Sequence, residues 1–362
     1  MFTTVEKKVR VLIVDDSAFM RRIIADMLKS DANIEVAATA RNGKEGLEKA
    51  IALKPDIITL DVEMPVMNGL ETLVELMKLK PAPKVIMLSS LTFEGGEATI
   101  KALELGALDF VAKPTASIIK FNAEHVRDEL IQKIKSIRKS AVTYPPQIQS
   151  AGSSKSIKKE KTTLRSYTGG SLKYIIAIGT STGGPRALQE VLTKLPHDIP
   201  ASVLVVQHMP PGFTKSLSDR LDSLSQINVK EAEEGDVLKQ GWAYIAPGDF
   251  HMVINRYIND EYRISINKES PVTGHRPSVN VMMKSVAESG HKNIIAVIMT
   301  GMGNDGSDGI LKIRDAGGKT IAQDESTCVV YGMPKSAVKI GAIDIIAPLN
   351  NIAAEILKNM GV

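Results

Sequence analysis

Two parallel-sheet α/β units joined by a polar tether are the architecture predicted for this chain, and three observations predict it. In both halves, short and nearly continuous apolar runs alternate with stretches of helical periodicity, the pattern of parallel strands covered by helices on both faces. The length of 362 residues suits two domains rather than one. Between the halves, SAVTYPPQIQSAGSSKSIKKEKTTLRSYTGG (140–170) is dominated by Ser, Thr, Pro, Gly, Gln and Lys. It holds too little apolar surface to offset the entropy of ordering it. The expected division is 1–138, a flexible linker over 139–170, and 171–362.

In the first half, VRVLIV (9–14) reads as a strand, followed by a helix with Ile23, Ile24, Met27 and Leu28 on one face. IEVAATA (34–40) is a second strand and 43–53 a helix. DIITLD (56–61), KVIMLS (84–89) and LDFVAK (108–113) complete five strands. Right-handed crossovers place all their carboxyl ends on one edge. The second half repeats the pattern. YIIAIG (174–179), SVLVVQ (202–207), IIAVIM (294–299), KTIAQ (319–323) and AIDIIA (342–347) are strand candidates, with helices at 184–194, 278–289, 306–316 and 351–359. HMVINRYINDEYRISIN (251–267) alternates about Asn259-Asp260, an antiparallel hairpin signal.

Composition excludes several classes. Hydrophobic residues are 43% and charged residues 24%, as in ordinary globular proteins. No apolar run approaches the ~20 residues of a spanning helix, so no membrane insertion is expected. The start, MFTTVEKKVR, has no secretory apolar core. The single cysteine, Cys328, forms no internal disulfide and fits a reducing cytoplasm. Of the +4 net charge, residues 139–170 carry +5, so the rest of the chain sits at −1. That leaves no electrostatic footprint for nucleic acid, and the basic stretch reads as a solvated tether.

Three carboxylates fall at predicted strand ends in the first half: Asp15, Asp16 and Asp61. In a doubly wound sheet these ends meet at the topological switch point. Three acids there repel one another unless a cation neutralises them, and Mg²⁺ suits such a site. Ser89 ends the fourth strand and Lys113 the fifth. A metal, a lysine and a hydroxyl around one carboxylate can place a phosphoryl group on it. The strings VDDSAFMRR, LDVEMPVMNG, LSS and FVAKP resemble the response-regulator receiver family over roughly residues 8–135. The resemblance implies a flavodoxin-like doubly wound domain with Asp61 as phosphoryl acceptor. It implies Mg²⁺ held by Asp15, Asp16, Asp61 and the backbone carbonyl of Glu63, with Ser89 and Lys113 on the phosphoryl group. Phe110 stands at the aromatic position that often changes rotamer on activation, where Tyr is commoner.

In the second half, GTSTGGPRAL (179–188) follows a strand and opens a helix. Its glycines permit a tight turn, and a helix start supplies free N–H donors. A nucleophile elbow, a phosphate-binding loop and a structural turn all fit this string, although a P-loop would need a Lys-[ST] ending. His208 at the end of the next strand and Asp305 in MTGMGNDGSDG favour a nucleophile. Serine needs a base to take its proton, and a carboxylate orients that base. By position alone, Thr180 and Thr182 compete with Ser181. The order Ser–His–Asp differs from that of an α/β-hydrolase. No H-E-x-x-H or cysteine cluster is present, and His125, His197, His251, His275 and His291 are scattered, so no metal or other cofactor is expected in this half.

The strings GTSTGGP, VVQHMPPGFT, AYIAPGDFHM, GHRPSVNVM, MTGMGNDGSDG and CVVYGMP resemble the chemotaxis receptor methylesterase family. With the receiver in front, the resemblance covers essentially the whole chain. It implies a second parallel α/β domain with an antiparallel hairpin, Ser181 as nucleophile, His208 as general base and acid, and Asp305 as the orienting acid. Thr182 and the backbone of Met302 would assist at the oxyanion and the histidine. The departure at the nucleophile is Thr180, where Ala is common. The implied substrates are glutamate γ-methyl esters of methyl-accepting chemotaxis receptors, with deamidation of receptor glutamines. The implied phosphoryl donor is the chemotaxis histidine kinase. An unphosphorylated receiver is expected to pack over the Ser181 cleft. Two rivals are a phosphorylation-driven adaptor and a receiver-linked transcription factor, the latter lacking a basic helix-turn-helix. His275 and Arg276 read as a helix-start cluster with open roles.

Overall fold

The computed structural model describes residues 7–90, 92–113, 123–140, 172–258 and 261–361. Nearly all of the expected linker, and the Asn259-Asp260 turn, lie outside these residues. Strands β1 (Val9–Val14), β2 (Ile34–Ala40), β3 (Ile57–Asp61), β4 (Lys84–Ser89) and β5 (Asp109–Ala112) form one parallel sheet in the order β2-β1-β3-β4-β5. Helices α1 (Ala18–Lys29), α2 (Gly43–Leu53), α3 (Gly69–Met77), α4 (Phe93–Leu105) and α5 (Ala123–Lys139) pack around it. Each of the first four begins at a side-chain cap, Ser17, Asn42, Asn68 and Thr92, which satisfies an orphan helix N–H. At Asn68 the Glu71 carboxylate closes a reciprocal capping box. The C-terminus of α5 is held by the Lys84 ammonium, which donates to the carbonyls of Ile137, Arg138 and Ser140. All five residues of β3 are buried, as a central parallel strand requires. Register pairs Val14 with Leu60, so Asp15 and Asp61 emerge side by side.

The second sheet has seven parallel strands in the order β14-β13-β12-β6-β7-β9-β8. In chain order the elements are β6 (Tyr174–Thr180), α6 (Gly184–Leu192), β7 (Ala201–Gln207), α7 (Phe213–Leu224), β8 (Asn228–Glu231) and β9 (Trp242–Ile245). The antiparallel pair β10 (His251–Arg256) and β11 (Tyr262–Asn267) forms its own small sheet. Then follow α8 (Val279–Glu288), β12 (Ile294–Ile298), α9 (Ser307–Asp315), β13 (Lys319–Gln323), α10 (Met333–Lys339), β14 (Ile345–Ala347) and α11 (Leu349–Met360). The last strand is shorter than expected. Asp344 leaves the ladder because it exchanges hydrogen bonds with the amide and hydroxyl of Thr320. The short strands β8 and β9 were not foreseen, since NVKE and WAYI are too short to show a period. Strand β6 lies between β12 and β7, so the second switch point falls beyond its carboxyl end.

The two halves meet through α4 and α7. At Gly96 an added Cβ would lie 2.8 Å from Ser216 Oγ, so the two helices approach closely there. The Phe110 and Phe213 rings stack at 4.7 Å across the junction, and Arg220 grips Glu104 through two nitrogens. Buried apolar side chains run without a break from Leu12 and Phe110 to Phe213 and Ile178.

Candidate active site

Ser181 stands one residue beyond β6. Its amide donates to Thr300 O (3.0 Å), and its carbonyl accepts from Gly184 N (2.7 Å) and Gln207 Nε2 (3.0 Å). Gly183 takes a left-handed φ of 77°, and a Cβ there would meet Val329. Of the three neighbouring hydroxyls, Thr180 is fully buried and donates to Gln207 Oε1 (2.7 Å). Thr182 is buried, and its carbonyl accepts from Thr300 Oγ1 (2.9 Å). Ser181 is half-buried. The start of α6 directly follows, with the positive end of its dipole at the serine turn.

His208 occupies the matching place beyond β7, its amide bonded to Thr180 O (3.1 Å). Its Nε2 lies 2.8 Å from Asp305 Oδ2. Asp305 is almost fully buried in a nest of donors. Oδ1 accepts from Ser278 Oγ (2.8 Å), Asn280 N (3.1 Å) and Gly306 N (3.0 Å), and Oδ2 from Val279 N (2.7 Å). Burial alone would raise its pKa. The His208 hydrogen bond and charge, Ser278 and the amide at the start of α8 outweigh burial and hold the carboxyl at about 2. Asp305 is therefore a fixed negative charge, and its Oδ2 accepts a hydrogen bond from the Nε2–H of His208. The lone pair is left on Nδ1, which is buried and has no hydrogen-bond partner among the described residues. In the usual Ser-His-Asp arrangement the acid holds Nδ1 and Nε2 faces the serine. Here the ring is used the other way round.

The structure thus joins His208 to Asp305 and sets Ser181 on the adjoining strand end. Among the described residues, Ser181 Oγ makes no hydrogen bond to His208. Met302 lies in the loop beyond β12, its sulfur 3.5 Å from Ser136 Oγ of α5, on the opposite half. Two nitrogens of Arg276 hold Asp249 Oδ1 (3.1 and 2.6 Å), and its Nη1 donates to the carbonyls of Lys268 and Glu269. Sequence reading missed Gln207, Ser278 and Asn280, although the last two lie in the HRPSVN string at a helix start. His251, read as scattered, is fully buried and accepts the amide of Ser278 on Nδ1 (3.2 Å).

In the first half, Asp15, Asp16 and Asp61 bring ligand oxygens within 4.8 Å of one another. Asp15 and Asp61 are buried and Asp16 is exposed. Lys113 Nζ pairs with Asp15 (3.0 Å) and Asp61 (2.6 Å). Burial raises the Asp61 pKa most, the Lys113 contact opposes it and the Asp15 charge adds to it, leaving it at about 6. Three carboxylates face one ammonium, and the donors are all hard oxygens, which fits a small divalent cation. The Ser89 hydroxyl donates to Gly95 O (3.0 Å) and so turns toward α4. Phe110 is buried beneath the Lys133 ammonium (5.3 Å) and against Phe213.

Family models match twice: a response regulator receiver domain over residues 11–120 and a CheB methylesterase over residues 176–356. A protein-glutamate methylesterase/protein-glutamine glutaminase of Symbiobacterium thermophilum is 46% identical over 370 residues, spanning 100% of this chain and 99% of the relative. That of Geobacillus kaustophilus is 48% identical over 358 residues, spanning 98% and 99%. The crystal structure of the Thermotoga maritima CheB methylesterase catalytic domain is similar with 46% identity and a TM-score of 0.50, covering 52% of this chain and 99% of that one. From the paired acids of its first sheet to the His–Asp couple of its second, the chain belongs to the CheB methylesterase family, with a response-regulator receiver at its N-terminal end.

Proposed function

We propose that this chain is a phosphorylation-controlled protein-glutamate methylesterase that also deamidates glutamine, with 1–138 as receiver, 139–170 as linker and 171–362 as catalytic domain. One observation carries the chemistry: the His208–Asp305 pair leaves His208 Nδ1 without a hydrogen-bond partner among the described residues, on the strand end next to that of Ser181. His208 Nδ1 takes the Ser181 proton as Oγ attacks the γ-carbonyl of a methylated receptor glutamate. Asp305 stabilises the imidazolium that forms. The tetrahedral oxyanion sits at the start of α6, near the amide of Thr182, with the Met302 backbone assisting. Collapse expels methoxide, which leaves as methanol with the proton from His208. Water, deprotonated by His208, then clears the acyl-enzyme and restores the free glutamate carboxylate. A glutamine amide passes through the same geometry and releases ammonia.

Asp61 accepts the phosphoryl group from a chemotaxis histidine kinase. Asp15, Asp16, Asp61 and the Glu63 carbonyl would hold Mg²⁺, which neutralises charge at the acceptor, while Lys113 and Ser89 contact the phosphoryl oxygens. The Met302–Ser136 and Phe110–Phe213 contacts support control by occlusion of the Ser181 cleft. Among the described residues no helix is long and apolar enough to cross a membrane. This reading places the chain in the cytoplasm, at the cytoplasmic helices of chemoreceptors. The test is methanol release from methylated receptor: Ser181→Ala abolishes it, and a Ser181→Ala chain that keeps the full rate refutes the assignment. Removing 1–138 raises the basal rate, and an unchanged rate refutes occlusion.

A further inference from the structure

We infer that His275 is a positioning residue of this reaction, holding the His208 ring in the plane from which Nδ1 takes the Ser181 proton; this rests on the hydrolase reading above. The two rings lie flat against each other, centroids 3.8 Å apart and 11° from parallel. Most aromatic pairs in proteins sit at 4.5–7 Å or so. This pair is closer, so the orientation of one ring constrains that of the other. His208 needs such a constraint. Among the described residues its ring has one side-chain hydrogen bond, from Nε2 to Asp305, and the nitrogen that does the chemistry has no hydrogen-bond partner. A single hydrogen bond at one edge fixes where that edge sits and leaves the ring free to tilt about it. A flat neighbour removes the tilt.

The chain around His275 is built to hold that neighbour still. His275 and Val272 exchange both backbone hydrogen bonds (2.9 and 3.1 Å) across the turn at Thr273-Gly274. Arg276, next in sequence, is clamped by Asp249 and by the carbonyls of Lys268 and Glu269. Asp249 itself adopts a left-handed φ of 66°, a region that aspartate tolerates better than most side chains. Two residues beyond Arg276, Ser278, Val279 and Asn280 donate to Asp305. The single run His275–Asn280 therefore touches the base on its face and the acid on both oxygens. Half-buried itself, His275 also covers the face of a His208 side chain that is only 7% exposed.

The experiment uses the full-length chain and four variants: His275→Ala, His275→Leu, His275→Phe and, as a control, Ser181→Ala. Methanol release from methylated receptor gives kcat and KM. A fluorophosphonate probe gives the labelling rate of Ser181 without any receptor. Loss of the ring (Ala, Leu) is expected to lower kcat about 10–100-fold, as misplacement of a base does, with KM unchanged. Labelling slows by the same factor. His275→Phe keeps a flat ring and recovers most of both rates. ¹⁵N signals of histidine-labelled protein give the spectroscopic signature: a lone-pair Nδ1 on His208 is retained in the Phe variant and averaged in the Leu variant. Wild-type kcat in the Leu variant, or a Phe variant as slow as the Leu variant, overturns the inference. Where His275→Ala does not fold, the Phe and Leu pair alone decides. If Ser181→Ala is inactive while the Leu variant runs at the wild-type rate, only the inference falls; if Ser181→Ala stays active, the hydrolase reading falls first.

Discussion

Asp61 and Asp305 are both buried aspartates at the carboxyl edge of a parallel sheet, yet one titrates at about 6 and the other at about 2. Topology does not separate them; their donors do. Asp305 receives a hydroxyl, three amides and an imidazole, so burial is more than offset. Asp61 receives one long amide bond (3.3 Å) and shares a single ammonium with Asp15. A saturated carboxylate is a permanent charge that orients a partner. An under-satisfied one is stabilised by a proton or a cation. The same edge of the same kind of sheet gives a fixed charge in one half and a titrating one in the other.

The sharpest way to break this contrast is Asp305→Asn. The amide keeps the shape but removes the charge and turns an N–H toward the donors. Methanol release should fall about 10³–10⁴-fold. Asp61→Asn should leave basal release alone and remove only phospho-stimulation. A chain that keeps a tenth of its rate without the Asp305 charge would show that the acid is not the fixed element argued for.

Next comes stability at Asp61. A folded pKa raised from 3.8 to about 6 means that the folded state binds this proton more tightly than the unfolded state. Stability is therefore present below about pH 4 and lost as pH rises through 6. In the absence of metal, Asp61→Asn should stabilise the first half by up to about 3 kcal/mol at pH 8 and by nothing at pH 3. Calorimetric melts check this, and a destabilised Asn variant at pH 8 would contradict it. Mg²⁺ should reproduce part of the gain in the wild type and none in the Asn variant.

Asp305 carries the opposite sign. Its lowered pKa contributes about 2 kcal/mol that is present above pH 4 and lost as pH falls through 2. The only tryptophan, Trp242, lies in β9 and reports the second sheet alone. Its fluorescence should hold steady from pH 6 to 4 and change only below. A transition between pH 6 and 4 would mean that the second half shares the titration of Asp61.

The smallest effect is expected at the junction. Arg220 is 41% exposed on its side chain and Glu104 only 14%, so their bond is partly screened. Glu104→Ala should raise basal release about 2–5-fold, a coupling near 1 kcal/mol. A lower basal rate would count against an inhibitory junction.

Much of this was legible in the residues. The long apolar strands and the helices between them announced themselves by period, and β1, β2, β4 and β13 fall where expected. Ser181 and His208 stood out because each directly follows a strand in a turn-forming string, and Asp305 because it lies in a glycine-rich turn after a strand. Shorter pieces did not. NVKE and WAYI carry too few residues for a pattern, and AIDIIA lost three residues of its expected strand to the Asp344–Thr320 exchange. Thr180, Ser181 and Thr182 were indistinguishable by position. Burial and the Gln207 bond separate Thr180 from Ser181.

What the sequence determined by itself is local in origin: alternation of strand and helix, and which residue types stand at strand ends. These depend on neighbours within a few positions, and a linear reading sees such neighbours. Tertiary structure alone decided which imidazole nitrogen is free, that His275 lies on His208, and that Phe110 of one half stacks on Phe213 of the other. The opposite titrations of two similar aspartates belong here too. Each depends on groups tens of residues apart whose distances come into being only when the chain closes, and electrostatic and stacking energies are set by those distances.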